Sequence, residues 1–486
     1  MAVHEQQSAS RPRPRRHQPP AFFNLLQPSA RPGIKRSLQT YSVEDSRKNR
    51  YRFQVHTKIA DIKKEVWDRC VSETDSPFVE YDWLYSLEES NCACEGTGWA
   101  PFHLTVHEEE APDDDILAVV PLYIKTHSNG EYIFDHSWAD FSYSNGIPYF
   151  PKLLCAVPFT PAGGARILIR PSYTDERNFL RRIIASFMRK LAEDSNISSV
   201  HVNFCTQEEG ESLEAVGYMP RKSTQFHWRN YNKDTGQRYT SFDEYLSMFK
   251  GKRRGAIKRE RRAVYEKEGC ELVVLRGDDI TPALYRTAFE LYKTTIDKLI
   301  WGRQYLSVRF FELLQETGWG RRNLCLILAK KDGRIVAGTI NVVKAGHFYG
   351  RYWGAFEFVK NLHFETCYYK SVEYCIQEGI DAMQPGAGGG DFKFMRGYDP
   401  AICHSSHFIV RPELRRAIRA FLEMERDRVQ MVADELNEKT KVRGADRSQT
   451  AAQAAVTDDQ EEERDGYEKK GSEAGREGRE GRREET

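Results

Sequence analysis

The chain of 486 residues predicts an α/β (α+β) fold of duplicated modules around mixed sheets, flanked by two polar ends. Three observations predict it: a weak internal repeat in the body, an aromatic-rich composition, and a composition shift at each end. The repeat weighs most, because ordered self-similarity points to duplicated supersecondary units. A chain of this length also exceeds what one hydrophobic core usually serves.

In the first copy, Ile116–Lys125 is a strand-like apolar run that overlays Ile335–Lys344 in the second. Glu131–Trp138 follows as a second, aromatic strand and matches His347–Trp353. Helices are predicted next over Asn178–Glu193 and Phe364–Glu378, where apolar residues recur at helical spacing. A short strand follows each helix, Ser199–Phe204 and Ile380–Gln384. Each copy closes on Gly-Tyr-x-Pro, at 217–220 and 397–400, with His227-Trp228 and His407-Phe408 at the same internal distance. Two such runs imply paired α/β layers.

The boundaries that follow are a first module over 41–235, a basic linking helix over 236–270, and a second module with a final helix over 271–437. Residues 1–40 carry seven Arg or Lys against Glu5 alone and are broken by Pro, as a transit peptide would be, with chloroplast favoured over mitochondrion. A generic basic tail is the other reading. Residues 438–486 lack the large apolar side chains that offset the entropy of ordering and are predicted to be disordered.

Hydrophobic residues make up 40% of the chain, with 24 Tyr, 26 Phe and 8 Trp, enough for substantial cores despite a mean hydropathy of -0.65. No run approaches the roughly 20 apolar residues of a membrane-spanning helix. The two ends carry opposite charge and the body between them is neutral, so a nucleic-acid contact would need a local patch. One exists: 242–267 reads as helical and holds Lys252, Arg253, Arg254 and Lys258. It is a solvated helix, a contact for a phosphate-rich donor, or a contact for an anionic surface. Its place at a module junction, where clefts form, raises the second reading.

The ten cysteines show no paired zinc spacing, and Cys92-Ala93-Cys94 is the one close pair. Free thiols are expected. No Gly-x-Ser-x-Gly elbow supports hydrolysis by a serine triad.

Several long motifs are distinctive: YIKTHSNGEYIFDHSWAD at 123–140, YFPKLLCAVPFTP at 149–161, QFHW at 225–228, YGRYWG at 349–354, LHFETCYY at 362–369 and GAGGGDFKFMRGY at 386–398. On these, the stretch from about Pro77 to Glu425 resembles the FemAB-like, peptidoglycan-biosynthesis/recognition family within the GNAT acyltransferase superfamily. The resemblance implies tandem GNAT-like domains and transfer of an acyl or aminoacyl group to an amine on a small molecule or peptide. Fem-type relatives take the group from charged tRNA, ordinary GNAT enzymes from acyl-CoA. No permanently bound cofactor and no metal are expected. Residues 355–364 lack the Arg/Gln-x-x-Gly-x-Gly/Ala loop with which an ordinary GNAT domain holds pyrophosphate, which speaks against standard coenzyme A binding. The chain also departs from the family at Gly388, Gly390, Asp391 and Phe392, where a Gln and a Glu-His pair are more usual.

Such transfer needs a base, oxyanion donors and groups that position two substrates. Glu365 and His363 stand at a strand-to-helix junction and are the candidate bases; Glu365 could instead complement the helix dipole. Tyr398 is a candidate assistant. Alternation would place Tyr349, Arg351 and Trp353 on one strand face, where Arg351 could grip a carboxylate or form an ion pair. Tyr369 offers a hydroxyl or core packing. Lys393 and Arg396 follow the Gly386–Gly390 turn and could receive a carboxylate or phosphate. In the first copy, Asp135 and His136 belong to a polar cluster read as substrate-facing or hydrogen-bonded. His227 and His407 occupy equivalent positions and are read as structural.

Overall fold

A computed structural model describes residues 39–45, 47–174, 176–296, 303–388 and 390–441. The Arg-rich segment read as a transit peptide and the charged tail from 442 onward lie outside them.

The described strands, in chain order, are β1 (Gln39–Glu44), β2 (Arg50–His56), β3 (Trp99–Pro101), β4 (His103–Glu108), β5 (Ala118–Val120), β6 (Leu122–Lys125), β7 (Lys152–Cys155) and β8 (Leu168–Ile169). They continue as β9 (Ser199–Cys205), β10 (Met219–Arg229), β11 (Glu271–Arg276), β12 (Leu324–Lys331), β13 (Arg334–Lys344), β14 (His347–Ala355), β15 (Ala382–Gln384) and β16 (Asp399–Ile409). One five-stranded sheet runs β1-β2-β4-β5-β8, and an eleven-stranded sheet runs β11-β12-β13-β14-β15-β10-β16-β9-β7-β6-β3.

The large sheet displays the duplication directly. From one end, β3, β6 and β7 pair antiparallel in turn and β7 pairs parallel with β9. From the other, β12, β13 and β14 pair antiparallel in turn and β14 pairs parallel with β15. The closing strand of each copy then lies beside the other copy: β16 on β9 and β10 on β15. Between them β10 and β16 pair antiparallel over nine positions. Their register respects the repeat, since Met219 faces His407 while its counterpart Asp399 faces His227.

Two sequence expectations are corrected. Glu131–Trp138 is not a strand, because a helix begins at His136 and the carboxylates of Glu131 and Asp135 turn inward to a buried lysine. The second strand of the first copy is therefore β7. The run Ile116–Lys125 is divided at Pro121, which has no N–H for a ladder, and its halves join different sheets. The predicted helices form at Arg177–Asp194 and over 362–377, and the basic segment forms helices Phe242–Ser247 and Gly251–Arg262. All ten cysteines are free.

The largest apolar core draws on both copies. Phe78, Trp83 and Leu84 pack in it with Phe310, Trp319 and Tyr349. Among the described residues no helix is long and apolar enough to cross a membrane.

Where β7 and β9 separate past Cys155 and Val202, the chain plugs the gap itself. Gly164 N–H donates to Phe204 O at 3.1 Å, and the fully buried Arg166 donates to Asn203 O at 2.9 Å and to Ala162 O at 2.5 Å. In the second copy the parallel pairing of β14 with β15 ends at Tyr349 and Gln384, and the Gly-rich turn follows β15 directly.

The centre of the sheet holds a histidine pair, His201 on β9 and His407 on β16, with Nδ1 atoms 2.7 Å apart. Burial first, then Lys152, pushes His201 down to about 3. A folded-state value below the unfolded one means stability that is full above about pH 6.5 and is lost as pH falls. At pH 5, His201 alone should withdraw roughly 2 kcal/mol. Denaturant unfolding at pH 7.5 and 5 should show this loss, and His201→Asn should reduce the difference between the two.

Candidate active site

The site is built on a helix with a defect. Over 362–377 the chain opens as a helical turn, winds through a π segment at Glu365–Lys370, and resumes as helix Ser371–Gln377. The basic helix Gly251–Arg262 ends in a π segment of its own, Ala263–Lys267. Such bulges recur at functional sites because they redirect side chains that a regular helix would space evenly.

On one side of the bulge stands His363. Its ring lies 5.3 Å from Trp353, 5.4 Å from Phe364, 5.7 Å from Tyr368 and 6.4 Å from Phe392, centroid to centroid. Burial first, then the charges of Arg396 and Lys393, push its pKa down to about 4. It is therefore neutral near pH 7 and able to accept a proton. Arg396 stacks 3.6 Å over Phe364. Tyr369 donates to Glu260 Oε2 at 2.5 Å and accepts from Arg253 at 3.4 Å.

On the other side stands Glu365, fully buried and already engaged. Arg261 Nε lies 3.0 and 3.1 Å from its two oxygens, Tyr265 donates to Oε1 at 2.9 Å, and Arg261 also reaches Glu373 at 3.2 Å. Burial pushes the Glu365 carboxyl up and Arg261 pulls it back. Two residues apart and so on opposite sides of the helix, the two candidate bases meet different surroundings, one an aromatic box and the other an ion pair.

The turn at 386–390 shows why glycine is needed. Gly386 and Gly388 have φ of 92° and 80°, and a Cβ on Gly386 would meet Gly350 O at 3.3 Å. Lys393 is turned into this turn, donating to Gly386 O at 2.8 Å and to Gly388 O. Arg396 donates to Phe392 O at 3.1 Å and to Glu260 at 3.4 Å. Both cations are buried and bonded to protein acceptors. The sequence expectation is that they receive a carboxylate or phosphate; here their described partners are protein oxygens. The helix after the turn, Gly390–Phe394, is only one turn long.

The remaining candidates disperse. Tyr398 is buried to 0% exposure with its hydroxyl on Met383 Sδ at 3.3 Å, inside the core rather than at a cleft. A β-bulge between Ile340 and Asn341 breaks the alternation on β14. Tyr349 packs in the large shared core while Trp353 packs toward Val336 and Leu362, so they do not share a face. Arg351 ties the copies together by donating to Phe159 O at 2.5 Å and Thr160 Oγ1 at 3.3 Å. Of the basic residues, Lys252, Arg254 and Lys258 are exposed, whereas Arg253 turns inward to Met395 O at 3.2 Å.

Asp135 and His136 part company. Asp135 is buried, 2.5 Å from Lys152 Nζ and 2.6 Å from Tyr149 Oη. Lys152 also bonds Glu131 at 2.9 Å and Ser128 at 2.9 Å. His136 is exposed and stacks on Phe134. Burial of this network moves Glu131 up to about 7 and brings Lys125 down to about 7.

Arg261, Glu260, Tyr265 and Phe392 were given no site role from the sequence, Arg261 being counted only in the basic segment and Phe392 only as a departure from the family. One signal was available: Glu260 is the sole acid between Lys250 and Arg262, and a lone acid in a basic run marks a face turned to a partner.

A FemAB-like family model, described as peptidoglycan biosynthesis/recognition, matches residues 58–444. The chain belongs to the FemAB-like family. Membership supports a transferase role in general. Among solved structures, FemX matches at 13% identity, covering 74% of this chain and 98% of its own, with a TM-score of 0.43. L-PGS from Bacillus licheniformis matches at 11% identity over 69% of this chain and 93% of its own, with a TM-score of 0.41. A tandem GNAT protein from the clavulanic acid biosynthesis pathway matches at 10% identity over 77% and 99%, with a TM-score of 0.33. No curated protein matches the chain.

Removing Arg261 would leave Glu365 buried and unpaired, so Arg261→Ala should destabilise the fold by about 3–5 kcal/mol. Adding Glu365→Gln should recover part of that loss in denaturant unfolding, because a neutral amide is cheaper to bury.

Proposed function

We propose that this FemAB-like protein is an N-acyl- or aminoacyltransferase in which an acceptor amine attacks the donor carbonyl directly. The observation that carries the proposal is the partly exposed aromatic box around His363. Four rings suit binding of an ammonium; it gives one proton to solvent to become the nucleophilic free amine, and the neutral imidazole takes the second proton as the new N–C bond forms. The nitrogen forms the new amide bond, the ester or thioester bond to the donor breaks, and the proton taken by His363 passes to the leaving oxygen or sulfur. Arg396 and Lys393 supply a positive field for the developing oxyanion. Glu365, locked by Arg261, fixes the bulge and so the orientation of His363.

Lys252, Arg254 and Lys258 on the exposed face of the basic helix suit a phosphate-rich donor, and charged tRNA fits the family better than acyl-CoA. Each phosphate contact neutralised releases counterions, which makes such binding salt-dependent.

Purified protein should transfer label from aminoacyl-tRNA or acyl-CoA, tried separately, to an amine acceptor. His363→Ala should lower turnover about a hundredfold or more, while Glu365→Gln should retain most of it. Lys252→Ala and Lys258→Ala should each weaken tRNA binding and reduce the salt slope by about 1. The commitment of Glu365 and Lys393 to internal partners favours a second reading, an amine- or glycan-peptide-recognition module. Acceptor binding without transfer from either donor would select it.

A further inference from the structure

A cavity of about 400 Å³ lies in the first copy, where helices Arg177–Asp194 and Gln207–Glu214 begin, beside the segment that plugs the gap between β7 and β9. Asp75, Ala165, Arg177, Asn178, Arg181 and Glu208 line it. Two charges of each sign thus meet in one cavity, and among the described residues none of the four forms an ion pair. Arg181 is 7% exposed, and a guanidinium so buried ordinarily has a carboxylate against it. Here its Nη1 donates to the neutral amide oxygen of Asn178 at 2.9 Å, and its Nε has no hydrogen-bond partner. Arg177 stands one turn earlier on the same helix face, with its own Nε buried and unpartnered. Like charges at this spacing repel unless an anion bridges them.

The nearby acids do not supply that anion. Glu208 turns its carboxylate to its own N–H and the Thr206 hydroxyl, and the buried Glu209 accepts from the N–H groups of Arg166, Ile167 and Thr206. Both feel Arg181 through space alone. Asp75 takes the Ser72 N–H at 2.7 Å on one oxygen.

We propose that this cavity binds a free α-amino acid with a polar side chain, its carboxylate bridging Arg177 and Arg181 and its ammonium group going to Asp75 and Glu208. A lone anion would satisfy the guanidiniums and leave two carboxylates beside it, and a lone cation would do the reverse. A zwitterion answers both. The lining is polar apart from Ala165 and threonine methyls, so an apolar side chain gains little there. Ala165 belongs to the plugging segment, so the ligand fastens that segment to the starts of both helices and stabilises the chain by mass action.

Melting of the full chain should be followed with each of the common L-amino acids in turn, and with acetate, methylammonium and inorganic phosphate as single-charge probes at equal concentration. At least one polar amino acid should raise the Tm, and the single-charge probes should not. Calorimetric titration of that amino acid should show affinity weakened about tenfold or more in Arg181→Gln and in Glu208→Gln. Glu208 is exposed, so its variant keeps the fold and guards the test against a misfolded Arg181 variant. The absence of a shift with every amino acid would overturn the proposal. So would an equal shift with phosphate or acetate, which would mark a plain anion seat, or an affinity indifferent to Glu208→Gln.

Discussion

Everything in this molecule depends on the antiparallel pairing of β10 with β16. Each is the last strand of its copy, and each lies against the other copy, so the two modules close each other's sheets. Neither copy could keep its closing strand and leave the other intact, because the backbone hydrogen bonds at the centre belong to both. The shared core of Phe78, Trp83, Trp319 and Tyr349 repeats the same logic in side chains. The histidine pair bridges β16 to β9, the next contact between the copies, which is why its protonation bears on the whole fold.

The duplicated frame holds two unequal halves. In the first, the opening between parallel strands is filled by Arg166 and its own loop, and four charged side chains, Lys125, Glu131, Asp135 and Lys152, are sealed beneath the surface. In the second, the bulged helix keeps one titratable group in an aromatic box and encloses the other in an ion pair. Burial near cations holds His363 neutral, while a bidentate arginine occupies Glu365. The asymmetry supports placing the chemistry in the second copy, where His363 and Glu365, two residues apart and so on opposite sides of the helix, meet different neighbours.

Much of the frame was legible in the sequence because helical and strand periodicities are local. The repeat located Arg177–Asp194, β9 and β15 and marked, as Gly-Tyr-x-Pro elements rather than strands, where β10 and β16 begin, and the equivalence of His227 and His407 survives as strand register. It failed at Glu131–Trp138, where aromatic alternation resembled a strand but two carboxylates were drawn to a lysine distant in sequence. Pro121 carried a readable signal for the division of β5 from β6. The site was less legible. His363, Trp353, Tyr369 and Arg396 were singled out and do assemble, yet Arg261 could not be paired with Glu365 from spacing, since the contact spans more than a hundred residues. Nor does alternation reveal a β-bulge, which reversed the face of Trp353 relative to Tyr349.

The central claim of the proposed function is that His363 is a neutral base whose proton affinity is suppressed first by burial and then by the charges of Arg396 and Lys393. An NMR titration of the His363 ring in the whole protein, free and with a phosphate- or carboxylate-bearing donor analogue, tests it most directly. The account predicts a pKa near 4 in the free protein, rising part of the way toward the ordinary imidazole value when a bound anion offsets Arg396 and Lys393 while burial remains. A ring that titrates near its ordinary value without ligand, or that ignores the anion, would contradict it.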